Sequence, residues 1–542
     1  MASRRVVYVL ATLSMVLGAS GHTDNGESHA AQETPETYPT TYFTLDTHRL
    51  AIQAHISLMI LSWFIILPIA TMLSLARSRY THFVRLGLTA TNAFGVLFGV
   101  SYKNTTADLY PGSAHSAVGW IATGIAAAQI SHLLVGPVTK LFNRFAGRDE
   151  SKAGKYTLPP IRESFDGLYD HDDPSGLSRQ ASFDVEATHV EMEDRDTSSD
   201  SRLYQEDPHE SGFTSGDDTV YGEAKIFSKP ILTRTRRLTL FIYNVMDRTI
   251  LIVAFIAFCT GIVTFWGLFK GHAIFNGMAH WIKGGIFFWL GIFTLGRWCG
   301  CFAEMGWAWN TRPGNSKRQF WLSPEFVESS LIFFYGSTNI FLEHLGGWSG
   351  AWTPRDLEHI SITVLFIGGG LCGMLVEYIR VKGLGEQKTA QDMQTMPAWT
   401  TDERTEHKSN GISMNPLPAL VIFLMGTSMA SHHQALMVST MVHKQWGNLL
   451  GAASVARLLT YMIMYLKPPT STSPSRPLTE LLMSFCLISG GILFIASSSD
   501  TIDGMIHFDI DVMALITVTM GFTGILMAWI IILLALKGWA SR

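Results

Sequence analysis

The chain is short of charged residues. Only 15% of its 542 residues are Asp, Glu, Lys or Arg, whereas a soluble protein carries about 25%. Hydrophobic residues make up 47% of the sequence. This balance excludes an ordinary soluble domain of this length and indicates a chain that places much of its surface in lipid.

The chain also lacks the spacings of a thiolate metal site. Its five cysteines form no CxxC pair, and the spacing of Cys299 and Cys301 is too tight for a zinc site. Two glycine runs, 368–370 and 490–491, do not have the pattern of a phosphate loop. They suit the close packing of helices in a membrane.

Long apolar runs are what the chain has in abundance. The stretch HISLMILSWFIILPIATMLSLARSRY, residues 55–80, carries no acid or base before Arg77 and is long enough to cross a bilayer. With two further runs, at about 83–102 and 114–135, it predicts a three-helix membrane module over residues 51–136.

The chain begins with the pattern of a secretory signal peptide. Arg4 and Arg5 precede a short apolar core, and Ala19 and Gly21 offer a cleavage site near residue 21. Residues 22–50 follow, polar and without a periodic apolar pattern. We therefore predict a signal peptide over residues 1–21 and a loose lumenal segment over residues 22–50.

Two independent signals orient the first helices. Arginines follow the first span at positions 77, 79 and 85, which predicts a cytoplasmic loop by the positive-inside rule. Asn104 begins an Asn-Thr-Thr glycosylation triplet in the next loop, on the side where glycans are added. The N-terminus is thus expected in the lumen, in a membrane of the secretory pathway.

Residues 140–236 interrupt the membrane segments. This stretch is rich in Asp, Glu and Ser and cannot bury enough apolar area to offset the entropy of ordering. It predicts a disordered acidic linker in the cytoplasm. Ser182 lies in an Arg-Gln-Ala-Ser sequence typical of a phosphorylation site, although a spacer without modification fits the composition equally well.

The remaining residues, 237–542, predict a second membrane domain of about eight helices. The apolar runs are 250–269, 279–295, 326–345, 358–379, 417–441, 449–466, 478–497 and 512–536. The expected fold is therefore all-α, a polytopic membrane protein with about eleven spans in two bundles, three plus eight. An odd number of spans places the C-terminus in the cytoplasm. The expected partner is the lipid bilayer, and no nucleic-acid partner is expected.

Histidines fall mainly at the predicted lumenal ends of the helices. His55 and His115 begin the first and third helices, and His432 and His433 lie deeper in one helix. Those at helix ends in the second domain are His280, His344, His359 and His443. Imidazoles there can ligate haem iron or another metal or relay protons. Alternatively, they bond lipid headgroups or helix ends. His432 and His433 are adjacent on one helix and cannot both face the same partner, so at most one of them is expected to be a metal ligand.

Two families resemble this chain. The first three helices, together with LEHISITVLFIGGGLCGMLVE and MGTSMASHHQALMVSTMVHKQWG, resemble the fungal Ytp-type transmembrane proteins. This resemblance covers nearly all of the chain apart from the linker, and it implies the two-part membrane architecture.

The N-terminal module is also similar, more distantly, to the ascorbate-reducible b-type cytochromes. The matching residues of the first helix are His55, Leu58, Met59, Ser62, Trp63, Pro68 and Arg77. His115, Gly119 and Gln129 match the third core helix. This resemblance implies one haem b between His55 and His115. It does not extend to a second haem, because the second helix has no internal histidine and a fourth core helix is absent from the module.

Three functions remain open on these grounds. The first is electron transfer by a b-haem or metal, with His55 and His115 as ligands and the histidines of the second domain as a second metal or proton site. The second is a proton- or metal-coupled transporter without redox chemistry. The third is a scaffold or trafficking factor that acts through its linker. Whether the protein is an enzyme stays open.

Overall fold

The computed structural model describes residues 39–145, 229–271, 273–309, 323–344, 354–393, 413–431, 434–467 and 475–542. Across these ranges the regular structure is helical and no strand is present, as expected for an all-α protein. The signal-peptide prediction, Ser182 and most of the predicted linker lie outside the described residues.

Twelve helices make up the described structure. They are α1 (Arg49–Leu75), α2 (Thr81–Thr105), α3 (His115–Phe145), α4 (Lys229–Trp266), α5 (Ala273–Trp298), α6 (Pro324–His344), α7 (Pro354–Met393), α8 (Leu417–Ser431), α9 (Met437–Leu466), α10 (Leu478–Ala496), α11 (Ser499–His507) and α12 (Val512–Ala540). Within the described ranges, eight of the helical segments are long and apolar enough to cross a membrane. The chain is therefore a polytopic membrane protein, and the number of eleven spans stays a prediction.

Every predicted apolar run overlaps a helix, but some boundaries differ. The run expected over 417–441 is divided, because α8 ends at Ser431 and α9 begins at Met437. At this break Leu436 is extended and the Gln434 amide donates to the Thr440 hydroxyl, 3.1 Å away. His432 and His433, predicted within one helix, lie outside the described residues.

The limits of the linker differ as well. Helix α3 continues to Phe145 and α4 already begins at Lys229, so helix covers both ends of the stretch predicted as disordered. The chain divides into two compact units, residues 1–132 with 249–542, and residues 133–248. Of the second unit, the structure describes the helical residues at its two ends. The two predicted bundles share the first unit.

Pro68 explains one contact between the first helix, α1, and the last helix, α12. In α1 the residues Leu61–Ile66 form a π-helical turn immediately before Pro68. Because Pro68 has no N–H, it cannot donate to the carbonyl of Phe64 one turn earlier. The indole Nε1 of Trp529, on α12, donates to that carbonyl instead, at 3.1 Å. This bond ties the last helix of the chain to the first.

We expect Trp529→Phe to destabilise the protein by about 1 kcal/mol, since it removes the indole hydrogen bond to the Phe64 carbonyl. Thermal unfolding of the purified protein in detergent measures the change. Trp120→Phe is the control, because Trp120 is 58% exposed. Combining Trp529→Phe with Pro68→Ala restores an N–H and should recover part of the loss. Equal shifts for the two tryptophan variants would contradict this role.

The residues before α1 are held by aromatic contacts. Phe43 stacks on Trp266 with ring centroids 3.9 Å apart and also contacts Phe508 at 5.6 Å. The hydroxyl of Tyr42 donates to Asp108 at 3.3 Å. The aromatic side chains of residues 39–48 thus pack on the end of α4, on the loop after α2 and on Phe508 after α11, so this stretch is more ordered than the loose segment predicted over residues 22–50. We call this end of the bundle, where α1 and α3 begin, the upper end.

Glycines bring pairs of helices into backbone contact in the C-terminal part. A Cβ on Gly491 of α10 would lie 2.6 Å from the carbonyl oxygen of Gly284 on α5, and one on Gly284 would lie 2.5 Å from that of Gly491. Gly426 and Gly447 make the same reciprocal contact between α8 and α9. The expectation that the glycine run at 490–491 serves close helix packing is confirmed.

Candidate ligand site at two histidine pairs

His55 lies in the second turn of α1, facing α2. Its Nδ1 is 2.8 Å from the carbonyl oxygen of Gly95. A carbonyl oxygen only accepts, so Nδ1 carries the hydrogen and donates it. The ring fits against α2 because Gly99 has no side chain, and a Cβ there would lie 2.6 Å from Nδ1.

His115 begins α3 and makes the equivalent contact with α4. Its Nδ1 is 3.1 Å from the carbonyl oxygen of Ala257 and 3.4 Å from the hydroxyl of Thr260. A Cβ on Gly261 would lie 3.0 Å from Cε1 of this ring. Each imidazole therefore bonds a carbonyl that precedes a glycine by one helical turn.

The two imidazoles meet each other. Their ring centroids lie 6.3 Å apart and their planes cross at 84°. Two imidazoles that share one metal ion at ~2 Å per bond have centroids roughly 5 to 6 Å apart, depending on the bond angle. Because both Nδ1 atoms donate to carbonyls, the neutral rings keep Nε2 as the lone-pair atom, which is the usual state of histidine ligands.

The packing around this pair is closed on one side and open on another. Ala122, on α3, is fully buried in a cluster with Trp63 and Ile250. The small side chain of Ala122 therefore serves the contact between helices and does not leave space for a cofactor. Gly119, one turn from His115, is different, because a Cβ there would meet no atom within 4 Å.

A second histidine pair lies in the C-terminal part. His280 of α5 and His443 of α9 have ring centroids 6.0 Å apart, with planes at 86°. Nδ1 of His443 bonds the carbonyl of Ser439 on its own helix at 2.8 Å. Phe494 lies 5.7 Å from the His280 ring and stacks on Trp446 at 4.1 Å. Two of the predicted metal-site histidines are thus brought together.

The other candidate histidines do not complete a larger metal site in the described residues. His359 is half-buried near the start of α7, and His344 is the last residue of α6. Within the described part of the chain, no group of three or more His, Cys, Asp or Glu side chains converges. Asn104 is exposed in the last turn of α2, and its glycosylation stays a prediction.

Sequence reasoning missed the groups that hold the imidazoles. Gly95 and Gly99 form a G-x-x-x-G pattern in α2, a known signal of close approach between membrane helices, and this signal was available. The carbonyl of Ala257 leaves no trace in the sequence, because any residue has one. Its role depends on how α4 packs against α3.

The all-helical fold and the apolar spans define an integral membrane protein built from two matched regions. Residues 253–538 match the family described as Protein YTP1-like, C-terminal, and residues 36–138 match a domain of unknown function, DUF2427. The chain belongs to the YTP1-like family.

Three similar proteins come from yeasts. An uncharacterised membrane protein of Schizosaccharomyces pombe is 34% identical over 506 residues, which cover 90% of this chain and 94% of the relative. An uncharacterised membrane protein of Saccharomyces cerevisiae is 45% identical over 287 residues, 50% of this chain and 44% of the relative. The protein YTP1 of S. cerevisiae is 24% identical over 178 residues, 33% of this chain and 31% of the relative. No solved structure matches the chain.

Proposed function

We propose that this membrane protein transfers electrons through a b-type haem whose iron is held by His55 and His115. The observation that carries the proposal is the paired geometry, with centroids 6.3 Å apart and planes near a right angle. Both rings are oriented through Nδ1 by backbone carbonyls on neighbouring helices. This is the arrangement by which proteins orient histidine ligands.

The residues around the pair fit such a group. The donor set is two neutral imidazoles, which suits haem iron. The open side at Gly119 gives space next to His115, and the sequence similarity of the N-terminal module to b-type cytochromes points to the same two histidines. When bound, the haem iron would supply one-electron chemistry by changing oxidation state. The chain holds the imidazoles, fixes their tautomer and packs Trp63 and Met59 beneath them, with a Trp63 Nε1 to Met59 Sδ contact of 3.3 Å.

The absorption spectrum of the purified protein tests this. After haem is supplied, the wild-type protein should show a reducible b-type spectrum, and the His55→Ala/His115→Ala variant should lose it entirely. His359→Ala, which changes a half-buried histidine of α7, is the matched control and should keep the spectrum. Metal analysis of the same samples distinguishes haem from a bare transition-metal ion at this pair. The proposal fails if wild type binds neither.

A second metal site at His280 and His443 extends the same proposal to the C-terminal domain. The support is the 6.0 Å separation of the ring centroids and the burial of His443, which is 6% exposed. With two imidazoles from the protein, such a site would keep positions open for other ligands. Loss of a bound metal in His443→Ala but not in His115→Ala would assign it.

Transport coupled to protons or metal ions is the second candidate function. A specific observation favours it, a set of buried ionised side chains in the C-terminal domain that includes Arg297 and Arg457. Ionisable groups within membrane helices commonly serve ion or proton pathways. A trafficking or scaffold role through the acidic linker is the third candidate, and most of the residues of this linker lie outside those that the structure describes.

A further inference from the structure

Five charged side chains are buried together at the end of the C-terminal helices opposite the upper end. The group, which we call the charged cluster, consists of Arg297 (3% exposed), Glu325 (1%), Glu328 (8%), Arg457 (1%) and Glu480 (0%). They come from α5, α6, α9 and α10. Charges are rarely buried so completely unless they are paired.

One guanidinium has a close carboxylate partner. Arg457 Nε lies 2.9 Å from Oε1 of Glu480, although its hydrogen is directed to the sulfur of Met483 at 3.1 Å. The contact is therefore a charge attraction without a directed hydrogen bond. Nη1 of Arg457 reaches Glu328 only at 3.5 Å.

The other guanidinium is shared between two carboxyls. Arg297 Nη2 is 3.4 Å from Oε1 of Glu325, and its Nη1 is 3.7 Å from Oε1 of Glu328. Its shortest polar contact is to a backbone group, because Nε donates to the carbonyl of Trp307 at 2.8 Å. Glu325 and Glu328 stand one turn apart on α6, and both contact this single cation.

The charges do not balance. Among the residues that the structure describes at this site, three carboxyls face two guanidiniums, so full ionisation of these five groups leaves one negative charge. An uncompensated buried charge is costly enough that a group changes its protonation state instead. A bound metal ion would neutralise it equally well, but the two guanidiniums repel a cation that approaches the carboxyls.

Several polar atoms of the charged cluster lack hydrogen-bond partners. They are Nη1 of Arg297, Nη2 of Arg457 and both carboxyl oxygens of Glu480. Tyr461 also faces the cluster, and its hydroxyl donates to Oε1 of Glu325 at 3.3 Å. The Trp309 ring lies over both guanidiniums, 4.5 Å from Arg297 and 5.3 Å from Arg457. The site is thus enclosed by protein and still able to accept a proton.

We propose that the charged cluster is a proton-binding site, in which Glu325 and Glu328 share one exchangeable proton. The pair is the natural holder, because both carboxyls lie 3.4 and 3.7 Å from Arg297, and Arg457, which reaches Glu328 at 3.5 Å, has Glu480 as its closer partner at 2.9 Å. Two neighbouring carboxyls so weakly compensated cannot both stay ionised at low cost. Helices α5 and α9 carry this site towards one end and the His280–His443 pair towards the other.

Infrared difference spectroscopy tests the proposal without any assumed activity. The purified protein at neutral pH should show a protonated-carboxyl C=O band that shifts in D2O. We expect this band to disappear in Glu325→Gln and in Glu328→Gln. In Arg297→Gln the imbalance grows by one charge, and the band should gain intensity corresponding to a second proton.

The control is Glu377→Gln. Glu377 is 1% exposed, yet it pairs with Arg380 at 2.8 Å and accepts the Ser323 hydroxyl at 2.7 Å. Its replacement should leave the band intact. Should a Gln variant of Glu325 or Glu328 fail to fold, Glu480→Gln, which equalises carboxyls and guanidiniums, should also remove the band. An unchanged band in these cluster variants, or no such band in wild type, overturns the proposal. A band whose intensity changes with the Na+ concentration but which does not shift in D2O would also overturn the proposal, and it would assign a metal cation to the site.

Discussion

The substitution Gly99→Ala should weaken ligand binding at the His55–His115 pair although it changes neither histidine. The new Cβ would lie 2.6 Å from Nδ1 and 2.8 Å from Cε1 of His55, which is closer than two atoms in van der Waals contact can come. The imidazole must move, and its 2.8 Å bond to the Gly95 carbonyl is lost. Removing such an orienting contact costs about 10–100-fold in metal affinity, which haem titration of the apoprotein measures.

A graded variant and a matched control make this test specific. Gly261→Ala should have a smaller effect, because its Cβ would lie 3.0 Å from Cε1 of His115. Gly124→Ala also changes a membrane-helix glycine, but a Cβ at this position meets no atom within 4 Å. This variant should bind haem as wild type does. Equal affinity of all three variants would mean that the carbonyl contacts do not orient the ligands.

The number and place of the helices follow from local properties of the sequence. Each span is a continuous apolar run whose length the bilayer sets, so each predicted run overlaps a helix. The helix boundaries agree less closely with the ends of the apolar runs where the polar interruption between two runs is short. At the break between Ser431 and Met437, hydrogen bonds join Gln434 to Thr440 in both directions, and the average hydropathy of the region does not reveal them.

The meeting of His55 with His115 was predictable, because both stand near the starts of helices that run in the same direction. Their similarity to the ligands of b-type cytochromes pointed to the same pair. The orienting carbonyls were not predictable, because the contact of His115 with Ala257 joins the N-terminal module to a helix beyond the linker. Such a contact depends on tertiary packing that no local pattern encodes.

The charged cluster shows the same limit. Arg297, Glu328 and Arg457 stand out in the sequence as polar residues within apolar runs. Their partners could not be assigned, since four helices far apart in the chain contribute to one site. The imbalance between carboxyls and guanidiniums becomes visible only when the helices are assembled.

Gly491→Ala should destabilise the C-terminal domain strongly, because the side chain has nowhere to go. Its Cβ would lie 2.6 Å from the Gly284 carbonyl oxygen and 2.6 Å from the amide nitrogen of Phe288. Both are backbone atoms of α5 and cannot rotate away as a side chain would. Helices α5 and α10 must separate, which loosens Leu295 and Ile488, both fully buried at this contact. We expect a loss of about 3 kcal/mol, the upper end of the usual cost of overpacking.

Thermal unfolding in detergent measures this loss against a control on another helix. Gly521→Ala and Gly524→Ala lie in α12, where an added Cβ meets no atom within 4 Å. These variants should be neutral or more stable by up to about 1 kcal/mol, the helix propensity gained from alanine. Gly284→Ala should destabilise as Gly491→Ala does. The double variant should cost less than the sum, because one separation of the helices relieves both clashes. Similar stabilities for the α10 and α12 variants would show that α5 and α10 are not in backbone contact.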